Sequence, residues 1–207
     1  MQTALAQYLG ISKHTCTITD YGSPAATIID GGHLLHVVVW PTPLLYRDVI
    51  NLYVTYISNH YTQDTVILVF DGYGDTQTTK SLEQRRRAAI KSSADINVIL
   101  DAHTTTSQAE FLNNAHNKAA LITELTKALL LRGVEVRQAS GDADIVIALT
   151  ALTAAERGGT PAAVVSRDTD VLVILLVRLK EGEVILVPMP LILSVSTYLS
   201  YTIMYSS

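Results

Sequence analysis

The chain has 207 residues, of which 48% are hydrophobic, and carries a formal net charge of −4. That length accommodates one α/β domain with a buried core, and that composition excludes a disordered chain. The lone cysteine, Cys16, excludes a disulfide framework or a Cys-rich zinc site and suits a reducing compartment.

No basic segment leads into an apolar run at the N-terminus, so the expectation is an intracellular protein without a secretory signal. Residues 26–29 (Ala-Thr-Ile-Ile) form a short apolar, β-branched run that predicts a strand ending at Asp30-Gly31-Gly32. Residues 44–60 place Leu45, Val49, Leu52 and Tyr56 at helical spacing. Residues 65–70 (Thr-Val-Ile-Leu-Val-Phe) predict a buried strand that ends at Asp71-Gly72. A polar helix is expected over 79–92.

Ser107-Gln108-Ala109-Glu110 reads as a capping box. It opens one long helix with Phe111, Ala115, Ile122, Leu125 and Leu129 on its apolar face, and Gly133 stops it. Residues 134–136 then predict a strand, 143–156 a helix backed by Gly158-Gly159, and 162–165 another strand. Residues 171–177 are apolar throughout, and periodicity assigns them no element. Residues 183–187 predict a core strand. The segment 184–207 carries no charged residue and is long enough to span a bilayer. Pro188 and Pro190 interrupt it and no Lys or Arg follows it, so a membrane segment is not expected. The division is a domain over 1–183 and an uncharged apolar tail over 184–207.

Continuous apolar strands alternating with helices imply an α/β fold, a three-layer α/β/α sandwich with a mainly parallel central sheet. Ligands of such sheets bind outside the carboxyl ends of the strands. Four predicted strands end in aspartate there: Asp30, Asp71, the pair Asp142 and Asp144, and the pair Asp168 and Asp170. Each has a bland reading, since Asp142 and Asp168 sit at helix starts and Asp30 and Asp71 precede glycine. Together on one edge they repel unless a hard cation such as Mg²⁺ or Mn²⁺ joins them. A pair of such ions is a recurrent device for phosphodiester hydrolysis. Setting the six aside leaves 13 acidic side chains against 15 basic ones, so the rest of the chain is compatible with a phosphate substrate.

In order along the chain stand Ile28-Ile29-Asp30-Gly31-Gly32-His33, Val69-Phe70-Asp71-Gly72, Gly141-Asp142-Ala143-Asp144 and Ser166-Arg167-Asp168-Thr169-Asp170. This ordered set resembles the PIN-like domain of the flap endonuclease and 5′-exonuclease superfamily, over about residues 26–177. The resemblance implies a PIN-like, Rossmann-like fold. It makes Asp30, Asp71, Asp142, Asp144, Asp168 and Asp170 the ligands of two Mg²⁺ or Mn²⁺ ions, with Asp30 and Asp71 also serving around the reactive water.

Lys80, Gln84, Arg87 and Lys91 share one face of the polar helix, while Arg85 and Arg86 point elsewhere. The alternative for these charges is a solvated face. In the family a lysine and an arginine seven residues later clamp the scissile phosphate, and Lys80 and Arg87 keep that spacing. Lys80, Arg85, Arg86, Arg87 and Lys91 are thus the expected nucleic-acid contacts, with DNA ahead of RNA. Tyr73 is a candidate to stack on a base. His33 and His36 lie beside the acids, open to a packing or a phosphate role, whereas His60, His103 and His116 share no metal-ligand spacing.

Three features depart from the family. No aspartate follows Asp170, Arg167 stands where an acid is common, and residues 1–23 replace the very short lead into the first strand that flap endonucleases show. The leading expectation is a metal-dependent endo- or exonuclease of intracellular, nuclear location. The alternative is a PIN-like nucleic-acid-binding or scaffold domain with impaired catalysis. A phosphotransferase with one aspartyl nucleophile fits less well, because two strands are each followed by a pair of acids.

Overall fold

The computed structural model describes residues 24–61, 65–72, 94–178, 184–187 and 201–202. Strand β1 (Thr27–Asp30) leads into helix α1 (Gly31–Val37), and α2 (Tyr46–His60) returns to β2 (Val66–Phe70). After the undescribed stretch 73–93 come α3 (Gln108–Asn113), α4 (Ala115–Leu130) and β3 (Glu135–Gln138). The chain then runs through α5 (Ala143–Gly158), β4 (Ala162–Val165), α6 (Thr169–Arg178), β5 (Val184–Val187) and the short β6 (Tyr201–Thr202).

The sheet order is β3-β2-β1-β4-β5-β6. Strands β1 to β5 are mutually parallel, and β6 runs antiparallel on the edge. The chain steps outward from β1 through β2 to β3, then crosses back to lay β4 on the other side of β1. The direction of winding therefore reverses between β1 and β4, and the sheet's crevice lies at their carboxyl ends.

Alternation along the strands feeds two cores. Ile29, Val66, Leu68, Phe70, Ala163 and Val165 face the side covered by α1, α2, α3 and α4. Ile28, Ile67, Val69, Ala162 and Val164 face α5 and α6. Strands buried on both faces explain why the sequence reads as unbroken apolar runs. The first core is the larger and holds the aromatics: Phe111 packs at 5.4 Å from Trp40 and 5.6 Å from Tyr46, ring centre to ring centre.

The larger core also encloses polar contacts. The Trp40 indole N–H donates to Tyr53 Oη, which donates to the Leu35 carbonyl, both at 2.8 Å. The Gln108 amide donates to the carbonyls of Leu35 and Val38, and its Oε1 accepts from Trp40 N. Gln108 therefore satisfies the backbone of the link after α1 from across the fold, as buried polar groups require. Burial pushes the Tyr53 hydroxyl far above the usual tyrosine range.

Two expectations change in detail. The long helix after Ser107 is two helices, because Asn114 leaves the helical conformation and caps α4 through its own side chain, accepting from His116 N and Asn117 N. Residues 171–177, which periodicity left unassigned, belong to α6. Among the described residues no helix is long and apolar enough to cross a membrane.

Candidate metal centre at the carboxyl edge of the sheet

Each acid reaches the sheet edge for a local reason. Asp30 ends β1 and caps α1, its Oδ1 accepting from His33 N at 3.0 Å. Asp142 caps α5 by accepting from Asp144 N at 3.3 Å. Asp168 accepts from Asp170 N at 2.9 Å at the start of α6. Asp71 lies just beyond β2, and its Oδ1 accepts from Ala143 N at 3.1 Å, tying the end of β2 to the start of α5. Three helix N-termini thus point at one edge, and their partial positive charges offset some of the repulsion among the acids.

Glycines bring these segments close. A β-carbon on Gly31 would lie 2.5 Å from the Phe70 ring, so only glycine lets α1 start directly over that buried side chain. A β-carbon on Gly72 would lie 2.3 Å from the Ala139 carbonyl oxygen, and Gly72 N donates to the Gly141 carbonyl at 2.8 Å. The Asp-Gly pairs therefore record close approach here, not hairpin turns. The position of a Gly32 β-carbon lies 3.3 Å from Asp30 Oδ1 and 3.6 Å from Asp71 Oδ2, so both carboxylates border the same small space above α1.

Among the described residues, Asp144, Asp168 and Asp170 come together most tightly, each offering an oxygen within 4.8 Å of the others. Asp144 is 8% exposed, whereas Asp168 and Asp170 are exposed. Oxygens on one hard cation are separated by at most about twice the metal–oxygen distance of roughly 2.0–2.6 Å. The donor set, all carboxylate and without nitrogen or sulfur, and its spread therefore fit Mg²⁺, Mn²⁺ or Ca²⁺.

Ser166, which sequence reasoning passed over, ties this group to Asp30. Its hydroxyl donates to Asp30 Oδ2 and accepts from Asp168 N, both at 3.1 Å. The signal was a small hydroxyl residue two positions before the last pair of acids, visible only once β1 and β4 are known to be neighbours.

Beside them, His33 Nε2 is buried without a hydrogen-bond partner. Burial lowers the His33 pKa; Asp30 opposes this, and Arg167 and His36 add to it. Burial also lowers the His36 pKa, followed by the charge of Lys118, against Asp30. The expected phosphate contacts Lys80, Arg85, Arg86, Arg87 and Lys91, and Tyr73 with them, lie outside the described residues.

The chain matches no protein-family model and no curated protein. Its site is therefore read from its own chemistry.

Proposed function

We propose that the chain is a metal-dependent nuclease that hydrolyses phosphodiester bonds in nucleic acid, with DNA ahead of RNA. The observation that carries this reading is the gathering of the Asp144, Asp168 and Asp170 oxygens within 4.8 Å at the carboxyl edge of a parallel sheet. The ordered resemblance to flap-endonuclease motifs supports it. Asp144, Asp168 and Asp170 would hold a divalent cation, and Asp30 and Asp71 border the place for a second, while Asp142, a ligand by the resemblance, caps α5. Bound cations supply electrostatic stabilisation of the charge that develops on phosphate and ease the deprotonation of water.

The chain's own groups do the positioning. Asp30 and Asp71 face the space over Gly32 from two strands, where they orient water through the oxygen lone pairs not engaged by backbone. Ser166 holds Asp30 and the Asp168 backbone in register, so the two sides of the crevice move as one. Lys80 and Arg87 are proposed to clamp the scissile phosphate, lysine as a point charge and arginine through a bidentate contact.

One observation favours a second reading, a nucleic-acid-binding or scaffold domain without catalysis. Both Asp30 oxygens already serve the fold, through His33 N and Ser166 Oγ. The two readings separate in one experiment. Labelled 5′-flap, single-stranded DNA and RNA substrates are incubated with Mn²⁺ or Mg²⁺, with EDTA, and with the Asp168→Ala/Asp170→Ala double variant. Metal-dependent cutting that the variant loses is the expected result. Binding without cutting selects the second reading, and neither cutting nor binding rejects both.

A further inference from the structure

The sheet ends at β3. Among the described residues its only strand partner is β2, and Glu135, Arg137 and Gln138 are exposed. The register sets which groups face outward. Ala139 N donates to the Phe70 carbonyl at 2.9 Å, and in a parallel ladder alternate residues bond to the same neighbour. Glu135 and Arg137 therefore turn their backbone groups to β2, and Val136 and Gln138 turn theirs to the open edge. The side chains divide by face. Val136 packs against the larger core. Glu135 and Arg137 share the opposite face, where Arg137 Nη1 donates to Thr150 Oγ1 of α5 at 2.9 Å. Arg137 Nε also donates to Glu135 Oε1 at 2.7 Å. Among the described residues these bonds leave Arg137 Nη2 and Glu135 Oε2 for a further partner.

A strand added here must satisfy both patterns. We infer that the edge of β3 pairs antiparallel with β3 of a second copy of this chain, about a two-fold axis through Val136. The two Val136 residues then face each other as a hydrogen-bonded pair and exchange both N–H to carbonyl bonds. Glu135 of each copy stands opposite Arg137 of the other, so the unlike charges meet twice. The next register that serves the same backbone groups sets Arg137 opposite Arg137 and is repelled. A short charged edge resists indiscriminate pairing; this one is complementary to itself in a single register. Because the paired strands run in opposite directions, the acidic groups of the two copies lie at opposite ends of the joined sheet, and pairing leaves both open. The inference does not depend on the nuclease reading.

The test is sedimentation velocity of the full chain in EDTA over a range of concentration, which reads association without metal or substrate. Wild type is expected to pass from monomer to dimer as concentration rises. Glu135→Arg sets like charges opposite one another and should weaken the dimer by roughly tenfold to a hundredfold. The exchange Glu135→Arg/Arg137→Glu sets unlike charges opposite again and should restore it, although the bond to Thr150 is lost. That restoration separates charge pairing from damage to the fold, which melting temperatures of the three proteins read directly. A wild type that stays monomeric would overturn the second copy as occupant, leaving the edge to a strand of another protein or of another segment of this chain. A dimer indifferent to Glu135→Arg, or one that the exchange does not restore, would overturn pairing at β3. Either result leaves the nuclease reading to its own cleavage assay.

Discussion

Gly72 gives the sharpest test of how the site is held. A β-carbon there would stand 2.3 Å from Ala139 O, 2.7 Å from Ser140 C and 2.9 Å from Gly141 N. All three are backbone atoms, so no side chain can rotate away and the 139–141 segment itself must shift. That segment leads directly into Asp142 and α5. Overpacking of this kind costs about 1–3 kcal/mol, and losing the Gly72 N–H to Gly141 carbonyl bond, 2.8 Å long, adds about 1 kcal/mol. For a chain of this size each kcal/mol lowers Tm by roughly 2–4 °C, so Gly72→Ala should melt roughly 4–16 °C below wild type. Gly141→Ala is the control, because a β-carbon there meets nothing within 4 Å and should move Tm by less than about 2 °C. Circular dichroism melts read both, and repeating them with Mn²⁺ reads the site. Displacement of α5 carries Asp144 with it, so the rise in Tm on adding Mn²⁺ should shrink in Gly72→Ala and persist in Gly141→Ala. Equal melting of Gly72→Ala and wild type, or equal damage from both substitutions, would refute the reasoning.

Other perturbations address separate links. Ser166→Ala strands Asp30 Oδ2 and the Asp168 N–H, and is expected to cost about 1–3 kcal/mol and to weaken the Mn²⁺-induced rise in Tm; Ser166→Thr should restore both, and calorimetric titration of Mn²⁺ checks the second. Asp170→Asn relieves repulsion worth about 1 kcal/mol in water between carboxylates whose oxygens lie within 4.8 Å of one another, so in EDTA it should melt no lower than wild type while losing the response to Mn²⁺. A full Mn²⁺ response in that variant would remove Asp170 from the ligand set. Gln108→Leu leaves Val38 O and Trp40 N unsatisfied in the core, and urea unfolding should show a loss of about 2–4 kcal/mol. Asn114→Ala removes the α4 cap and is expected to cost about 1 kcal/mol, also by urea unfolding.

The layers of the fold were legible because the strands are covered on both faces. Val66-Ile67-Leu68-Val69-Phe70 has no polar break, and in water such a run exists only where two layers of helices cover it. The acids were legible for a related reason, since four of the five predicted strands were followed by one. What the sequence hid was set by contacts between distant segments. Asn114 looks like an ordinary helix residue until its side chain is seen to cap the next helix. Residues 171–177 gave no period because part of α6 is buried and Val173, at 45% exposed, is an apolar side chain at the surface. Ser166 and Gln108 act across 136 and up to 73 residues of chain, a range that no local pattern reaches. The convergence of the acids was legible only in part. Asp144, Asp168 and Asp170 form the tight group, Asp30 and Asp71 share the space over Gly32, and Asp142 is turned to its own helix as a cap.

That division bears on whether capping argues against a metal. In a doubly wound sheet the carboxyl end of a strand is followed by a helix N-terminus, so a cap and a ligand compete for the same sequence position. A carboxylate has two oxygens, and a cap uses one. Asp168 gives Oδ1 to Asp170 N and still takes part in the group with Asp144 and Asp170, so the two roles coexist in that residue. Asp144 and Asp170 each stand two positions after a capping acid, at the second residue of α5 and of α6, where a negative charge is favoured by the helix but not needed to close it. The spacing Asp-x-Asp, found after both β3 and β4, is what this division of labour requires: the first acid fixes the helix start and the second is free of that duty. If the pairs were caps alone, replacing the second acid of each by asparagine would change neither stability nor the response to Mn²⁺ beyond the loss of a helix-terminal charge. On the metal reading, Asp144→Asn and Asp170→Asn each abolish that response, while Asp142→Asn, which keeps the cap oxygen, leaves most of it in place.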